Sequence, residues 1–355
     1  MKKIWIAVGG SGGHLYPAQT VAKELAAINP SYEIIFIGHG LSSSPFFERK
    51  NELFYDIKAS YLKKTIKGTF QFIFNNLRGI LSSVRLILKH QPDLVVGFGS
   101  YHSFPPLIAA LVKKTPFVLF ECNAQMGKVN HLLKNRARCV YTALFDFDDQ
   151  RVLFLKVKMP LASSKLEKIE KKLALNYYGL SDKDFTFLIF GGSQGAVTLN
   201  EAVAHGMIAL KSKAVTFQVI HFTGEADEKK VKALYEQHQI KSCVKAFENQ
   251  MHYGYSAADF AITRSGASTI AELLEHQLPS LFIPYPFAPC DHQRYNAEFF
   301  QNKTTSFKVL LQKELKGEKF LLMIEDAIKN RQKVSQYKES AKVSLAQAID
   351  GFFHE

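Results

Sequence analysis

The sequence predicts an α/β protein of two domains, each a parallel sheet covered by helices, facing each other across a cleft. Three observations carry the prediction. A glycine phrase occurs twice, as Gly9-Gly10-Ser11-Gly12-Gly13-His14 near the N-terminus and as Gly191-Gly192-Ser193-Gln194-Gly195 near the midpoint. Each copy follows an apolar run of strand type, residues 4–8 and Phe185–Phe190, and precedes a stretch with helical spacing. The chain of 355 residues is 47% hydrophobic, enough for two cores at roughly 100–200 residues per domain.

The elements follow in order. In the first half, strand 4–8 leads to a helix over 17–28 and a strand at Glu33–Gly38; residues 93–97 and 117–120 are short buried strands bounded by Pro or Gly. The pattern restarts at Phe185–Phe190 and continues with strands at Phe217–Phe222, Phe260–Thr263 and 280–283. Such alternation argues for parallel sheets with helical crossovers. A Lys- and Ser-rich stretch, 156–172, reads as the linker, which sets domains at 1–158 and 159–334. The polar, helical tail at about 335–355 is expected to return to the first domain. Open parallel sheets bind ligands at the carboxyl ends of their strands, so the expected site lies between the domains.

Composition narrows the function. No run of about 18 uncharged apolar residues exists, so no transmembrane helix is expected. Residues 1–8 run straight into glycines and read as a first strand, not a signal peptide. Cys122, Cys139, Cys243 and Cys290 form no CxxC pair, which argues against zinc and disulfide frameworks and for a reducing cytoplasm. The net charge of +13 admits nucleic acid, anionic lipid or phosphorylated ligands as partners. It is uneven: residues 57–92 contain no acid but hold Lys58, Lys63, Lys64, Lys67, Arg78, Arg85 and Lys89.

The first glycine loop fits neither a dinucleotide fingerprint, since Leu15 stands where a glycine is needed, nor a Walker loop. Four glycines in five residues exceed what a tight turn needs, which favours approach of a ligand. The backbone N–H groups and dipole of a helix start suit a phosphate. His14 closes the loop at the first helical turn, where the positive helix end opposes protonation and leaves a neutral imidazole able to act as a base. Gly97-Phe98-Gly99-Ser100-Tyr101-His102 is a third glycine turn after a strand. Arg264-Ser265-Gly266-Ala267-Ser268-Thr269 follows a further strand, and Glu272 one turn later offers a carboxylate for a ribose diol. Asp291-His292-Gln293, after the Pro-rich 283–286, suits sugar hydroxyls. Asp146-Phe147-Asp148 matches a short metal-holding pattern but reads as an accident, with no clear strand beside it.

Residues 66–89 place Phe70, Ile73, Phe74, Leu77, Ile80, Leu81, Val84, Ile87 and Leu88 at helical spacing. The stripe reads as a core face, above all in its C-terminal half. Its start, Phe70-Gln71-Phe72-Ile73-Phe74, is apolar on more than one side and flanked by Lys63, Lys64 and Lys67. A basic-rimmed apolar patch suits an anionic bilayer, at about 1 kcal/mol per Lys or Arg near the surface.

Taken in order, Gly9 to Pro17, Gly97 to Pro105, Glu121 with Asn123, Gly127 and Asn130, Gly191 to Asn200, Arg264 to Glu272 and Ile283 to Ala297 resemble the MurG family of UDP-N-acetylglucosamine transferases. The resemblance spans most of the chain. It implies a GT-B fold of two Rossmann-like, doubly wound domains. It also implies inverting transfer of N-acetylglucosamine (GlcNAc) from UDP-GlcNAc to the 4-hydroxyl of the muramoyl sugar of lipid I. It implies His14 as base. On the donor it implies Glu272 at the ribose, Phe247 and Glu248 at the uracil, and Gly192, Ser193, Gln194, Ala267, Ser268 and Thr269 at the diphosphate. Gln293 and Asn123 fall to the GlcNAc hydroxyls. The acceptor diphosphate falls to Ser11, Gly12, Gly13, Gly99, Ser100 and Tyr101. The implied partners are UDP-GlcNAc, lipid I and the anionic cytoplasmic face of the membrane, with no nucleic acid, no tightly bound cofactor and no required divalent metal.

The chain departs from the family pattern at Phe120 and Cys122, where His and Gln are usual, and at Ser100, where glycine is usual. In Lys158-Met159-Pro160-Leu161-Ala162 the junction arginine is missing, with Lys165 as the substitute at hand. Two other classes stay open on the residues alone: another UDP-sugar enzyme, such as a UDP-GlcNAc 2-epimerase or a glycolipid synthase, and a catalytically degenerate UDP-sugar-binding subunit at the membrane.

Overall fold

The structure is a computed structural model that describes residues 1–10, 12–63, 65–192, 195–330 and 341–354. It divides into two units, Met1–Ala162 with Glu339–Glu355, and Ser163–Lys338.

The first unit is built on a seven-stranded sheet of β1 (Lys3–Ala7), β2 (Glu33–Gly38), β3 (Leu53–Asp56), β4 (Leu94–Gly97), β5 (Phe117–Glu121), β6 (Val140–Thr142) and β7 (Phe154–Lys156). Its order is β3-β2-β1-β4-β5-β6-β7, and every pair is parallel. Chain direction across the sheet reverses between β1 and β4, a doubly wound switch point where such sheets open a crevice. The second unit repeats the plan with β8 (Phe185–Phe190), β9 (Phe217–Phe222), β10 (Ser242–Lys245), β11 (Phe260–Thr263), β12 (Ser280–Phe282) and β13 (Phe307–Val309). The order is β10-β9-β8-β11-β12-β13, again all parallel, with its switch point between β8 and β11. Central strands are buried along their whole length, as two helical layers require.

Helix α1 (Gly12–Ile28) starts five residues before the expected 17. Pro17 at the sixth helical position forfeits only the bond to the carbonyl four residues back, close to the frayed end, so it does not mark the start. Helix α2 (Ile66–His90) is capped by Thr65, whose Oγ1 accepts from the Gly68 N–H, and by the left-handed Gln91. It packs on α3 (Phe104–Lys113).

The face that α2 buries corrects the sequence expectation. Its buried residues are Gly68, Asn76, Gly79, Ser83 and Ile87. Leu77, Leu81 and Leu88, of the expected core stripe, are more than half exposed, as are Ile66 and the Phe70, Ile73 and Phe74 of the expected apolar patch. The small face allows close approach: a Cβ on Gly79 would lie 2.0 Å from the Lys58 carbonyl oxygen and 3.0 Å from Pro105 Cβ. Asn76 Nδ2 meets the carbonyls of Ser60 and Phe72 at 2.9 and 2.8 Å. Helical periodicity locates a stripe but not which side of the helix is buried, and small residues won the contact with α3 and the 58–60 segment.

Of the tail, residues 331–340 lie outside the described residues. The helix Leu345–Gly351 packs on α1, with Tyr32 Oη donating to Asp350 at 2.5 Å and Tyr141 Oη to the Ala348 carbonyl at 3.2 Å.

Candidate functional site

In the first unit the glycine turns leave the two strands that flank the switch point. Gly9 and Gly10 follow β1, Gly99 and Ser100 follow β4, and Ala7 pairs with Gly97 in the sheet. His14 lies half-buried in the first turn of α1, beside the exposed Gly13. Ser11, named for the acceptor diphosphate, and Lys64, named for the membrane patch, lie outside the described residues. Gly99 and Ser100 both have positive φ, +77° and +65°, and Ser103 Oγ donates to their carbonyls at 2.6 and 3.0 Å. The first and third glycine turns, linked in the sequence only by layout, meet at one side chain, His102. Its ring stacks on Tyr101 with centroids 3.8 Å apart and faces His39 at 5.8 Å. Sequence reasoning gave His102 and His39 no part.

Glu121 explains its place in the motif differently. It is fully buried and accepts from the N–H of Asn123 and Gly127, from Asn123 Nδ2 and from Asn130 Nδ2, at 2.9–3.1 Å. Burial raises its pKa, and these four donors oppose the rise. Glu121 thus fixes the loop that carries Asn123.

In the second unit the glycine turn after β8 and the Arg264–Thr269 segment after β11 again flank the switch point, and Phe190 pairs with Thr263. Ser193 and Gln194 lie outside the described residues. Gly195, at φ +72°, must be glycine, since a Cβ would stand 2.4 Å from the Thr223 carbonyl oxygen. Gly266 precedes the helix Ala267–Glu275, so Ala267, Ser268 and Thr269 are its first turn, whose N–H groups have no partner within the helix. Such an end suits phosphate oxygens.

Glu272 is only 4% exposed, and both its oxygens are engaged. Lys165 Nζ lies 2.6 Å from Oε1, and Tyr255 Oη donates to Oε2. His276 Nε2 meets the Lys165 carbonyl at 2.8 Å, so the same lysine is tied at both ends to this helix and its C-cap. Gln293 Oε1 accepts from the Tyr285 N–H at 2.9 Å, and the Gln293 carbonyl accepts from Ser265 Oγ at 2.7 Å. Arg264 ties the same loop from below, donating to the carbonyls of Ile283 and Pro284 and to Gln312 Oε1 at 2.6 Å. Burial lowers its pKa to about 10.

Phe247 is half exposed, but the Glu248 side chain turns inward. It pairs with Lys245 at 2.8 Å and accepts from the Gln250 N–H at 2.9 Å. Burial raises its pKa, yet Lys245 and that N–H hold it below the usual range. The Glu248 carboxylate is thus engaged within its own unit, while the Phe247 ring stands open to solvent. Asp146 pairs with Lys156 at 2.7 Å, and among the described residues no group of three His, Cys, Asp or Glu is placed to hold a metal.

Residues 4–142 match the N-terminal domain of glycosyltransferase family 28, and residues 186–351 match its C-terminal domain. The chain is 43% identical over 312 residues to the UDP-N-acetylglucosamine–N-acetylmuramyl-(pentapeptide) pyrophosphoryl-undecaprenol N-acetylglucosamine transferase of Protochlamydia amoebophila (strain UWE25), covering 84% of this chain and 80% of that protein. The protein of the same name from Thermodesulfovibrio yellowstonii (strain ATCC 51303 / DSM 11347 / YP87) is 32% identical over 354 residues, 98% of this chain and 96% of its own. The crystal structure of Acinetobacter baumannii MurG superposes with a TM-score of 0.77 at 24% identity, over 100% of this chain and 99% of that one, which shows the shared fold.

Proposed function

The chain belongs to glycosyltransferase family 28, among the MurG transferases, and we propose that it catalyses the reaction their name describes. It transfers N-acetylglucosamine from UDP-GlcNAc to the muramoyl sugar of undecaprenyl-pyrophosphoryl-N-acetylmuramyl-pentapeptide, lipid I, giving lipid II and UDP in peptidoglycan synthesis. The observation that carries this is the 43% identity over 84% of the chain, which includes residues of both units.

The chemistry is an inverting displacement. The acceptor 4-oxygen forms a bond to C1 of the donor sugar, the C1–O bond to the diphosphate breaks, and UDP leaves with the electron pair. The hydroxyl proton goes to the His14 imidazole. Charge grows on the leaving diphosphate as the sugar takes on oxocarbenium character. The first turn of the Ala267–Glu275 helix and the glycine turn at Gly192 supply backbone N–H groups for that charge, so the reading needs no bound divalent metal. Glu272 takes the ribose diol by exchanging or sharing one of its two present partners, Lys165 and Tyr255. The acceptor diphosphate goes to the first unit, at Gly12, Gly13, Gly99, Ser100 and Tyr101.

The exposed face of α2 gives the lipid-linked acceptor a surface to come from. Phe70, Ile73 and Phe74 stand out beside Lys63 and Lys67, with Phe72 partly covered, and they dock the enzyme on the anionic cytoplasmic face of the membrane.

The test is UDP release in the presence of both substrates. It is expected to fall about 10²- to 10⁴-fold in His14→Ala while UDP-GlcNAc binding stays intact, and to persist in a chelator. Undiminished turnover in the variant sinks the base assignment, and loss of activity in the chelator returns Asp146 and Asp148 to the site.

A further inference from the structure

Three chain segments of the first unit converge on the His102 side chain. A Cβ on Gly9 would lie 2.7 Å from His102 Cβ, and one on Gly10 would lie 2.6 Å from Cε1 and 2.8 Å from Nδ1. The first glycine loop therefore rests on this imidazole, and two of its four glycines are accounted for by a side chain of the protein itself. His39, after β2, covers the ring from another side and bonds the Ile57 carbonyl through Nδ1 at 3.0 Å. Ser100, after β4, lies 2.7 Å from His102 Nδ1 through its Oγ. Ser100 has φ +65° and ψ 157°, a conformation that non-glycine residues adopt only when their surroundings hold them there. The Oγ–Nδ1 bond and the Ser103 hydroxyl, shared between the Gly99 and Ser100 carbonyls, are those surroundings.

We propose that His102 is a positioning residue for the transfer: its ring is the floor of the first glycine loop, and its bond to Ser100 locks the facing turn, so that one side chain sets where His14 and the acceptor-binding backbone stand. This rests on the transferase reading above. His102 is 8% exposed. Burial, then the nearby His39 and His14, push its pKa down to about 4, with Asp56 opposing, so it stays a neutral support over the working range. The base needs placement to within a fraction of an ångström, and a misplacement of about 1 Å costs up to about a hundredfold.

Two variants divide the two contributions. His102→Phe keeps a ring under the loop and removes the bond to Ser100. His102→Asn keeps an atom near the Nδ1 position for that bond and removes the floor. In the full-length protein, with a soluble lipid I analogue, each is expected to lower kcat over acceptor KM by about ten- to a hundredfold, with donor KM within about twofold of wild type. Ser100→Gly, which relieves the strained backbone, probes the same bond should a ring variant fail to fold. Its effect is expected to be non-additive with His102→Phe. Wild-type acceptor kinetics in either ring variant, an equal rise in donor and acceptor KM, or simple additivity with Ser100→Gly overturns the proposal. A wild-type protein that makes no product with the acceptor refutes the transferase reading instead.

Discussion

Glu272 shows how a residue can be legible in type and illegible in state. Its position one turn into a helix after a strand marks it as a candidate for a ribose diol. That it is buried against Lys165 and Tyr255 has no local signal, because Lys165 is 107 residues away in sequence. The same holds for Arg264, whose role in tying the 283–284 loop depends on a fold-level contact. Lys165→Met leaves a buried carboxylate with one fewer donor. After discounting for the partly exposed lysine, it is expected to destabilise the second unit by about 2 kcal/mol, a fall of several degrees in melting temperature. A melting temperature unchanged within a degree would show that the ion pair contributes no stability.

At the scale of elements, the sequence is readable where strands are buried on both faces. β1, β2, β4, β5, β8, β9, β11 and β12 stand out as apolar runs. The strands that sequence reasoning missed are β3, β6, β7, β10 and β13, and four of these five are the outer strands of their sheets. They are three or four residues long and, apart from β6, only partly covered, so their composition is mixed: Phe307-Lys308-Val309 and Phe154-Leu155-Lys156 carry no periodic signal. In α2 the pattern was visible and its orientation was not, since Gly79 and Ser83 look like gaps in the stripe rather than a contact. Two predictions separate its faces. Gly79→Ala forces a methyl against the Lys58 carbonyl and is expected to cost about 1–3 kcal/mol in urea unfolding. Phe70→Ser with Phe74→Ser is expected to leave unfolding within about 0.5 kcal/mol and to weaken co-sedimentation with anionic vesicles. Equal vesicle binding by this double variant and wild type would remove α2 from the membrane account.

For the molecule as a whole, two glycine phrases proved to mark two switch points, one in each sheet. Each unit also buries a neutral histidine. Burial lowers the pKa of His102 to about 4 and that of His221, in the second unit, to about 3, against about 6.5 in an unfolded chain. Above pH 6.5 neither state binds the proton, so stability is flat. Below it the unfolded chain binds a proton the folded units refuse, and stability falls as pH drops toward the folded values. By pH 5 the loss is about 2 kcal/mol in each unit, readable as a falling urea midpoint. A midpoint that stays level from pH 7 to pH 5 would show that these histidines are not buried neutral.

Every role assigned above depends on transfer of N-acetylglucosamine to a lipid-linked muramoyl acceptor. Its most direct test is the fate of radiolabelled sugar from UDP-GlcNAc incubated with and without a soluble lipid I analogue. Label is expected in a disaccharide-bearing product, with one UDP released per sugar transferred and no conversion of the donor when the acceptor is left out. Label that changes into another UDP-sugar without the acceptor, or donor that binds and is never transferred, would contradict it.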